Sequence, residues 1–477
     1  MTRTIPVNQN LVEMEYAVRG AIPQRALEMQ RAGRTIYACN LGNPQALGQK
    51  PITFYRQVLS LLEAAENIDR ERSLSRVAAA NLELFNESGV EPFSNYVIDY
   101  SENFLEQCRA GMGAYTESKG SAFIRTAIAR YIDRRDGENL SADPEQIFLT
   151  DGASDAAKRI LELLITGPLD GIMIPIPQYP LYSATVKRCG GSQVNYYPDE
   201  NSDWSLSLEI LEEAYRKATA DGIHVKCVVV INPGNPTGAI LDKPSIDGVV
   251  HFAEQHGLAI IADEVYQDNL YGGKFISMAS AVGARDIPLF SLHSISKGFT
   301  GECGHRGGYM ELRNMPQVEG TDLNMVEVIL KQASVCLCSN TVGQAIIYML
   351  VNPPEKGSAP YNIYQDEKNA VLGELEAKAA LIKESFKQME GMECFGRTGA
   401  MYLFPRLNTL PPGSNDFDYC MALLEETGIC TVNGAGFGQL PGTRHMRIAF
   451  LPPRETVTGF LPEWIRFHNR YVHRPQV

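Results

Sequence analysis

Lys297 lies in a setting that a solvent-facing lysine does not need: Ser294-Ile-Ser-Lys-Gly-Phe-Thr-Gly-Glu-Cys-Gly-His-Arg-Gly-Gly308. An ammonium partly withdrawn from water is destabilised relative to the neutral amine. The neutral amine is the form that attacks a carbonyl to make a Schiff base. Most lysines are surface groups, but that reading does not account for the serines, arginine and glycines around this one. Ser294, Ser296 and Arg306 add the hydroxyl and guanidinium donors that bind an anion.

Three further segments carry residues of chemical use. In Thr150-Asp-Gly-Ala-Ser154, small residues precede a helical pattern. The free N–H groups and positive dipole end of a helix, with the Ser154 hydroxyl, would suit a phosphate. Taken alone the segment reads better as a plain strand-to-helix turn capped by Ser154. In Asn232-Pro-Gly-Asn-Pro-Thr-Gly238, prolines and glycines fix the backbone and hold Asn235 still. The full string is far rarer than an ordinary Pro/Gly turn and reads as functional. Asp263, in Asp-Glu-Val-Tyr266, follows the apolar run Leu258–Ala262. A carboxylate at the mouth of a buried strand needs a partner or it neutralises, and a cationic ring nitrogen would serve. A helix cap is the plain alternative, and this motif leaves both open.

Each of these segments follows a short run suited to a strand. Ile147–Thr150, Gly171–Ile176, Val225–Ile231, Leu258–Ala262 and Leu289–Leu292 are continuous and apolar, as strands buried on both faces are. Helical patterns at Ala153–Ile165 and Lys243–Gln255 alternate with them. The predicted fold class is therefore α/β, a mostly parallel central sheet flanked by helices, with ligands at the carboxyl ends of the strands. Arg25–Arg31, Ile52–Glu63, Asp416–Glu426 and Tyr361–Gln388 read as helices, and Gly399–Phe404 and Met446–Phe450 as strands. A Pro-rich break at Asn352–Pro360 separates the last part from the sheet region. We expect an N-terminal arm and part of a small domain over 1–98, a large domain over 99–355, and the rest of the small α/β domain over 356–477.

Composition narrows the classes. A chain of 477 residues with 44% hydrophobic and 21% charged residues is ordinary globular material. A net charge of -13 argues against nucleic acid as a partner. No apolar run approaches the roughly 20 residues that span a bilayer. The N-terminal segment has no apolar core before a cleavage site and carries early acidic residues, so the expectation is a cytoplasmic protein. The 10 cysteines form no paired framework and read as reduced thiols. Cys303, His305, Cys336 and Cys338 do not have zinc spacing, so no metal is expected. Phosphate-loop, dinucleotide, nucleophile-elbow and HExxH motifs do not occur.

In this order, Asn232–Gly238, Asp263–Tyr266 and Ser294–Lys297 with a following arginine resemble the fold-type-I aminotransferases. Asn40–Pro51, Ile174–Ala184, Asp263–Asn269, Lys297–Tyr309 and Leu423–Cys430 look like the alanine aminotransferase subgroup, and the likeness runs from about Val12 to the C-terminus. The resemblance implies pyridoxal 5'-phosphate as cofactor and Lys297 as its Schiff-base lysine. It implies Asp263 at the pyridine nitrogen, Tyr266 and Asn235 at the phenolic oxygen, and Tyr179 on the ring face. Ala153 (backbone N–H), Ser154, Ser294, Ser296 and Arg306 would cradle the phosphate. Tyr115, followed by Gly120, would reach the phosphate from a neighbouring subunit, which implies a homodimer. Arg447 would grip the substrate carboxylate, with Asn235 beside it and Gly42 closing nearby. The implied reaction exchanges an amino group between L-alanine and 2-oxoglutarate. A glutamate–glyoxylate aminotransferase and an aminocyclopropane-carboxylate synthase are the alternatives. A regulatory module without turnover would carry a basic nucleic-acid-binding segment, and the matched, acidic chain shows none.

Overall fold

The side chains of Cys227, Val228, Val229, Val230 and Ile231 are all buried, and the run they belong to lies inside a seven-stranded sheet. The computed structural model describes residues 4–15, 20–81, 91–137 and 141–475. The sheet consists of β1 (Ile147–Thr150), β2 (Asp170–Pro175), β3 (Ser192–Tyr196), β4 (His224–Ile231), β5 (Ala259–Asp263), β6 (Leu289–Ser294) and β7 (Gly308–Arg313). Their spatial order is β1-β7-β6-β5-β4-β2-β3. All neighbours are parallel except at β7, which runs against both β1 and β6. Helices such as Ala153–Leu164 and Lys243–His256 connect the strands, and Gly152, at φ 84, supplies the left-handed turn into the first of them.

Sequence patterning located five of the seven strands. The edge strand β3 was missed because Gln193 and Asn195 face solvent between buried Val194 and Tyr196, a short alternation that does not look like its continuous neighbours. The reversed strand β7 matters more. Since it runs backwards, its first residue pairs with the last residues of β1 and β6, Thr150 and Ser294. Arg306, just before it, is thereby delivered to the carboxyl ends of the parallel strands.

A second body of structure forms from the chain ends. Strands Tyr402–Leu403, Met446–Ala449 and Val432–Asn433 pair antiparallel, with helices Tyr361–Ser385, Asp416–Thr427 and Arg454–Tyr471 packed around Trp464. Tyr37–Ala38 pairs with Ile429–Cys430, and Ala449 N–H donates to the Cys39 carbonyl at 2.7 Å. These bonds bring residues just after Cys39 beside the strand that carries Arg447. The expected strand Gly399–Phe404 shortens to its middle for a clear reason. Gly399 N–H donates to Gly238 and Ala400 N–H to Asn269, so this end is tied to loops of the large sheet rather than to a neighbouring strand. Among the described residues no helix is long and apolar enough to cross a membrane.

Behind the sheet, Arg135, Asp136, Glu264, Glu311 and Arg313 form a buried polar cluster. Arg135 bonds Asp136 at 2.7 Å and Gln267 at 2.8 Å, and Glu264 accepts from Met278 N–H at 2.7 Å. Burial pushes the Glu264 carboxyl up to about 7, with Arg135 opposing. A carboxyl whose folded pKa is raised binds more protons folded than unfolded, so its penalty grows as pH rises from about 4.5 through 7. Glu264→Gln keeps the acceptor for Met278 and removes the charge. It is expected to unfold at higher denaturant than wild type at pH 8, by about 1–3 kcal/mol, with the gap closing toward pH 5. An equal gap at both pH values would contradict this.

Candidate active site

The carboxyl ends of β1, β4, β5 and β6, together with the Asn40–Asn43 segment and the small sheet, enclose a cavity of about 300 Å³. Its walls include Gly42, Ala153, Ser154, Tyr179, Asn235, Asp263, Tyr266, Ser294, Ser296, Lys297, Arg306 and Arg447. Every site residue expected from the sequence lines this one space except Tyr115, which is 77% exposed. Chain separations of up to four hundred residues are closed by the parallel sheet and by the pairing of the two chain ends.

At one end of the cavity the groups are cationic or hydrogen-bond donors. The Arg306 guanidinium donates to the Asp151 carbonyl at 2.9 Å, to Ser154 Oγ at 3.3 Å and to the Cys303 carbonyl at 2.9 Å. Ser294 Oγ donates to Ser296 Oγ at 3.1 Å and the Gly307 carbonyl at 3.0 Å. The helix Ala153–Leu164 begins here and has no side-chain cap. An unfilled helix N-terminus beside an arginine and three hydroxyls is a place for a multiply charged anion.

In the middle sits Asp263. Tyr182 Oη donates to its Oδ2 at 2.7 Å, while Oδ1 is buried and meets no side-chain hydrogen-bond partner among the described residues. Burial raises the carboxyl above the usual range, partly offset by Tyr182. A buried acceptor left open in this way calls for a cationic N–H donor.

At the far end Arg447 is 2% exposed. Nη1 donates to Asn235 Oδ1 at 3.2 Å, Nη2 to the Asn40 carbonyl at 2.7 Å, and Nε has no partner among the described residues. The rings of Tyr402 and Phe437 cover the guanidinium at 4.3 Å and 4.7 Å. None of these contacts is a carboxylate, so the buried charge is matched to an incoming anion.

Lys297 stands between the two ends. Nζ donates to the Gly42 carbonyl at 2.7 Å. The next residue is pinned by Asn269, whose Oδ1 accepts from Gly298 N–H at 2.9 Å. Burial works against the ammonium, but Tyr402, Cys303 and Tyr179 outweigh it and raise the Lys297 pKa. The sequence reading expected an amine made neutral by desolvation. Here the charge of its neighbours prevails in the open cavity.

Tyr402, Tyr182, Cys303, Asn40 and Asn43 escaped the sequence reading as site residues. Tyr402 had only its place in a strand-like string to mark it, and Tyr182 only its place beside Tyr179. Gly42 explains why the first segment comes so close: a Cβ there would lie 2.0 Å from Tyr402 Oη and 3.4 Å from Lys297 Nζ. Gly42→Ala is expected to lower stability by about 1–3 kcal/mol through overpacking against a rigid ring. A denaturation midpoint equal to wild type would show that the ring yields freely.

Comparison with known proteins adds four findings. The family model described as aminotransferase class I and II matches residues 102–461. The chain is 41% identical to the mitochondrial alanine aminotransferase of Saccharomyces cerevisiae, over 98% of this chain and 80% of that one. It is 38% identical to glutamate–glyoxylate aminotransferase 1 of Arabidopsis thaliana, over 98% of this chain and 95% of that one. Among solved structures, an alanine aminotransferase from Pyrococcus furiosus superposes with a TM-score of 0.77 at 24% identity, covering 98% of this chain and 100% of that one, which establishes a shared fold.

Proposed function

The chain belongs to the class I and II aminotransferases, and on that footing we propose that it moves the amino group of L-alanine to 2-oxoglutarate. Pyruvate and L-glutamate are the products, formed in two alternating half-reactions. The observation that carries the reading is the one cavity that holds Lys297, a buried carboxylate oxygen without a side-chain partner, an anion cradle and an arginine packed against two aromatic rings.

Pyridoxal 5'-phosphate is the cofactor of this family, and the residues fit it. Asp263 Oδ1 has room for the pyridinium N–H, and Arg306, Ser154, Ser294, Ser296 and the Ala153 N–H would hold the phosphate. Tyr266 and Asn235 would bond the phenolic oxygen, and Tyr179 would lie on the ring face. When bound, the cofactor supplies an electron sink for the pair left on the substrate α-carbon. Asp263 keeps the ring nitrogen protonated. Arg447 fixes the substrate carboxylate, Gly42 and Tyr402 close the cavity against water, and Lys297 Nζ takes the α-proton.

The likeness to the glutamate–glyoxylate enzyme at 38% identity supports a second reading, with glyoxylate as acceptor. The deciding experiment adds L-alanine to purified protein without an acceptor and follows the visible band of the cofactor. Bleaching with one pyruvate per cofactor supports the alanine assignment. Bleaching by glutamate alone keeps the aminotransferase and removes alanine, and initial rates with pyruvate and glyoxylate then choose the acceptor.

A homodimer is also proposed. Tyr115 is 77% exposed, and Val335 and Leu337 are exposed at 83% and 50% on a segment tied to Ser118 through Ser334. Sedimentation velocity at micromolar protein tests it. A cytoplasmic location is proposed as well, whereas the yeast relative is mitochondrial by name, so cell fractionation decides.

A further inference from the structure

We propose that Tyr402 is the proton partner of Lys297, its Oη taking the proton of the lysine ammonium to leave a neutral amine and giving it back afterwards. The inference rests on the transaminase reading and adds a residue to it.

The geometry begins at Gly42. The position of an absent Cβ is 2.0 Å from Tyr402 Oη and 3.4 Å from Lys297 Nζ, so both polar tips crowd the same glycine. Lys297 Nζ is held there by the Gly42 carbonyl at 2.7 Å. Tyr402 is 2% exposed, and its Oη accepts from Tyr266 Oη at 3.4 Å. The Arg447 guanidinium lies 4.3 Å from the centre of its ring. A buried phenol with a donor hydroxyl, a lysine and an arginine around it is set up to carry negative charge.

The titratable groups that face Oη are Lys297 and Cys303 on the loop after β6, Tyr266 after β5, and Arg447 on the small sheet. Burial raises the Tyr402 phenol, but Lys297 and then Arg447 outweigh it and the net direction is down. Lys297 moves the opposite way, as two groups competing for one proton do. The exchange balances without any other reactant: ammonium plus phenolate becomes amine plus phenol, one N–H bond broken and one O–H bond formed. Charge separation is favoured while the cavity is open to water, and the neutral pair is favoured once water is expelled. The amine is therefore a base when substrate fills the cavity.

The test uses the full chain freed of cofactor, so it does not depend on turnover. Tyrosinate absorbance near 295 nm is followed against pH in wild type, Tyr402→Phe and Lys297→Met. One tyrosine of wild type is expected to ionise ahead of the others and below the range of a free phenol, in the direction set by Lys297 and Arg447. That signal is expected to vanish in both variants, the second because Tyr402 loses its counter-charge. Carbamylation of Lys297 by cyanate, read by peptide mass spectrometry at pH 8, is expected to be about tenfold faster in Tyr402→Phe, because the lysine loses the neighbour that favours its charged form. A wild type with no tyrosine ionising early, or a Lys297 carbamylation rate unchanged in Tyr402→Phe, would overturn the proposal. If the pair titrates as described but alanine fails to bleach the loaded enzyme, the substrate reading falls and the proton pair stands.

Discussion

Lys297→Ala is expected to lower kcat/KM on the order of 10⁵-fold or more, because the residue does two jobs that no neighbour can take over. In the proposed reaction its amine would be both the covalent anchor for the cofactor and the base at the substrate α-carbon. Among the described residues the other long cations lining the cavity are Arg306 and Arg447, which are bound at opposite ends and stay protonated in a protein. The loss should appear in pre-steady-state bleaching as well as in steady-state rate, with an unchanged denaturation midpoint. Retention of more than about one per cent of wild-type turnover would remove Lys297 from both roles.

The second large effect falls on Asp263→Asn. The two side chains have nearly the same shape, and the amide oxygen can still accept from Tyr182. What disappears is the negative charge beside the open Oδ1 position. A ring nitrogen without a counter-charge in a buried site gives up its proton, and the neutral ring is a poorer acceptor of electrons. The expected result is a fall in kcat on the order of 10³-fold with KM little changed, the pattern for an interaction made chiefly in the transition state. A variant that loses affinity for substrate while keeping kcat would assign Asp263 to binding instead.

Much of the site was legible because parallel α/β sheets put function at strand ends. Asp263, Asn235 and Lys297 each follow an apolar run, and a run of that kind identifies both the strand and the place where its ligand side lies. Arg447 was harder, since a strand in a small antiparallel sheet carries no such rule, and only its resemblance to known strings marked it. Tyr402 was not legible. Its role comes from contact with Gly42 and Arg447, residues far away in the chain, and contact at that range leaves no trace in local pattern. The strand β7 shows a related limit: its reversal places Arg306 in the cradle, and strand direction is not written in composition.

The Arg447 guanidinium lies 4.3 Å from the centre of the Tyr402 ring and 4.7 Å from that of Phe437, and this has a consequence for chirality. With two rings packed against it, the guanidinium is expected to meet a carboxylate edge-on, in its plane. The substrate carboxylate is then fixed in direction as well as position. Its amino group is directed to the cofactor end of the cavity, leaving the α-hydrogen and the side chain to share the two remaining directions. One enantiomer turns its hydrogen toward Lys297; its mirror image turns its side chain there and meets the wall made by Gly42 and Tyr402. Two aromatic rings that make no bond to the substrate would thus make the enzyme single-handed.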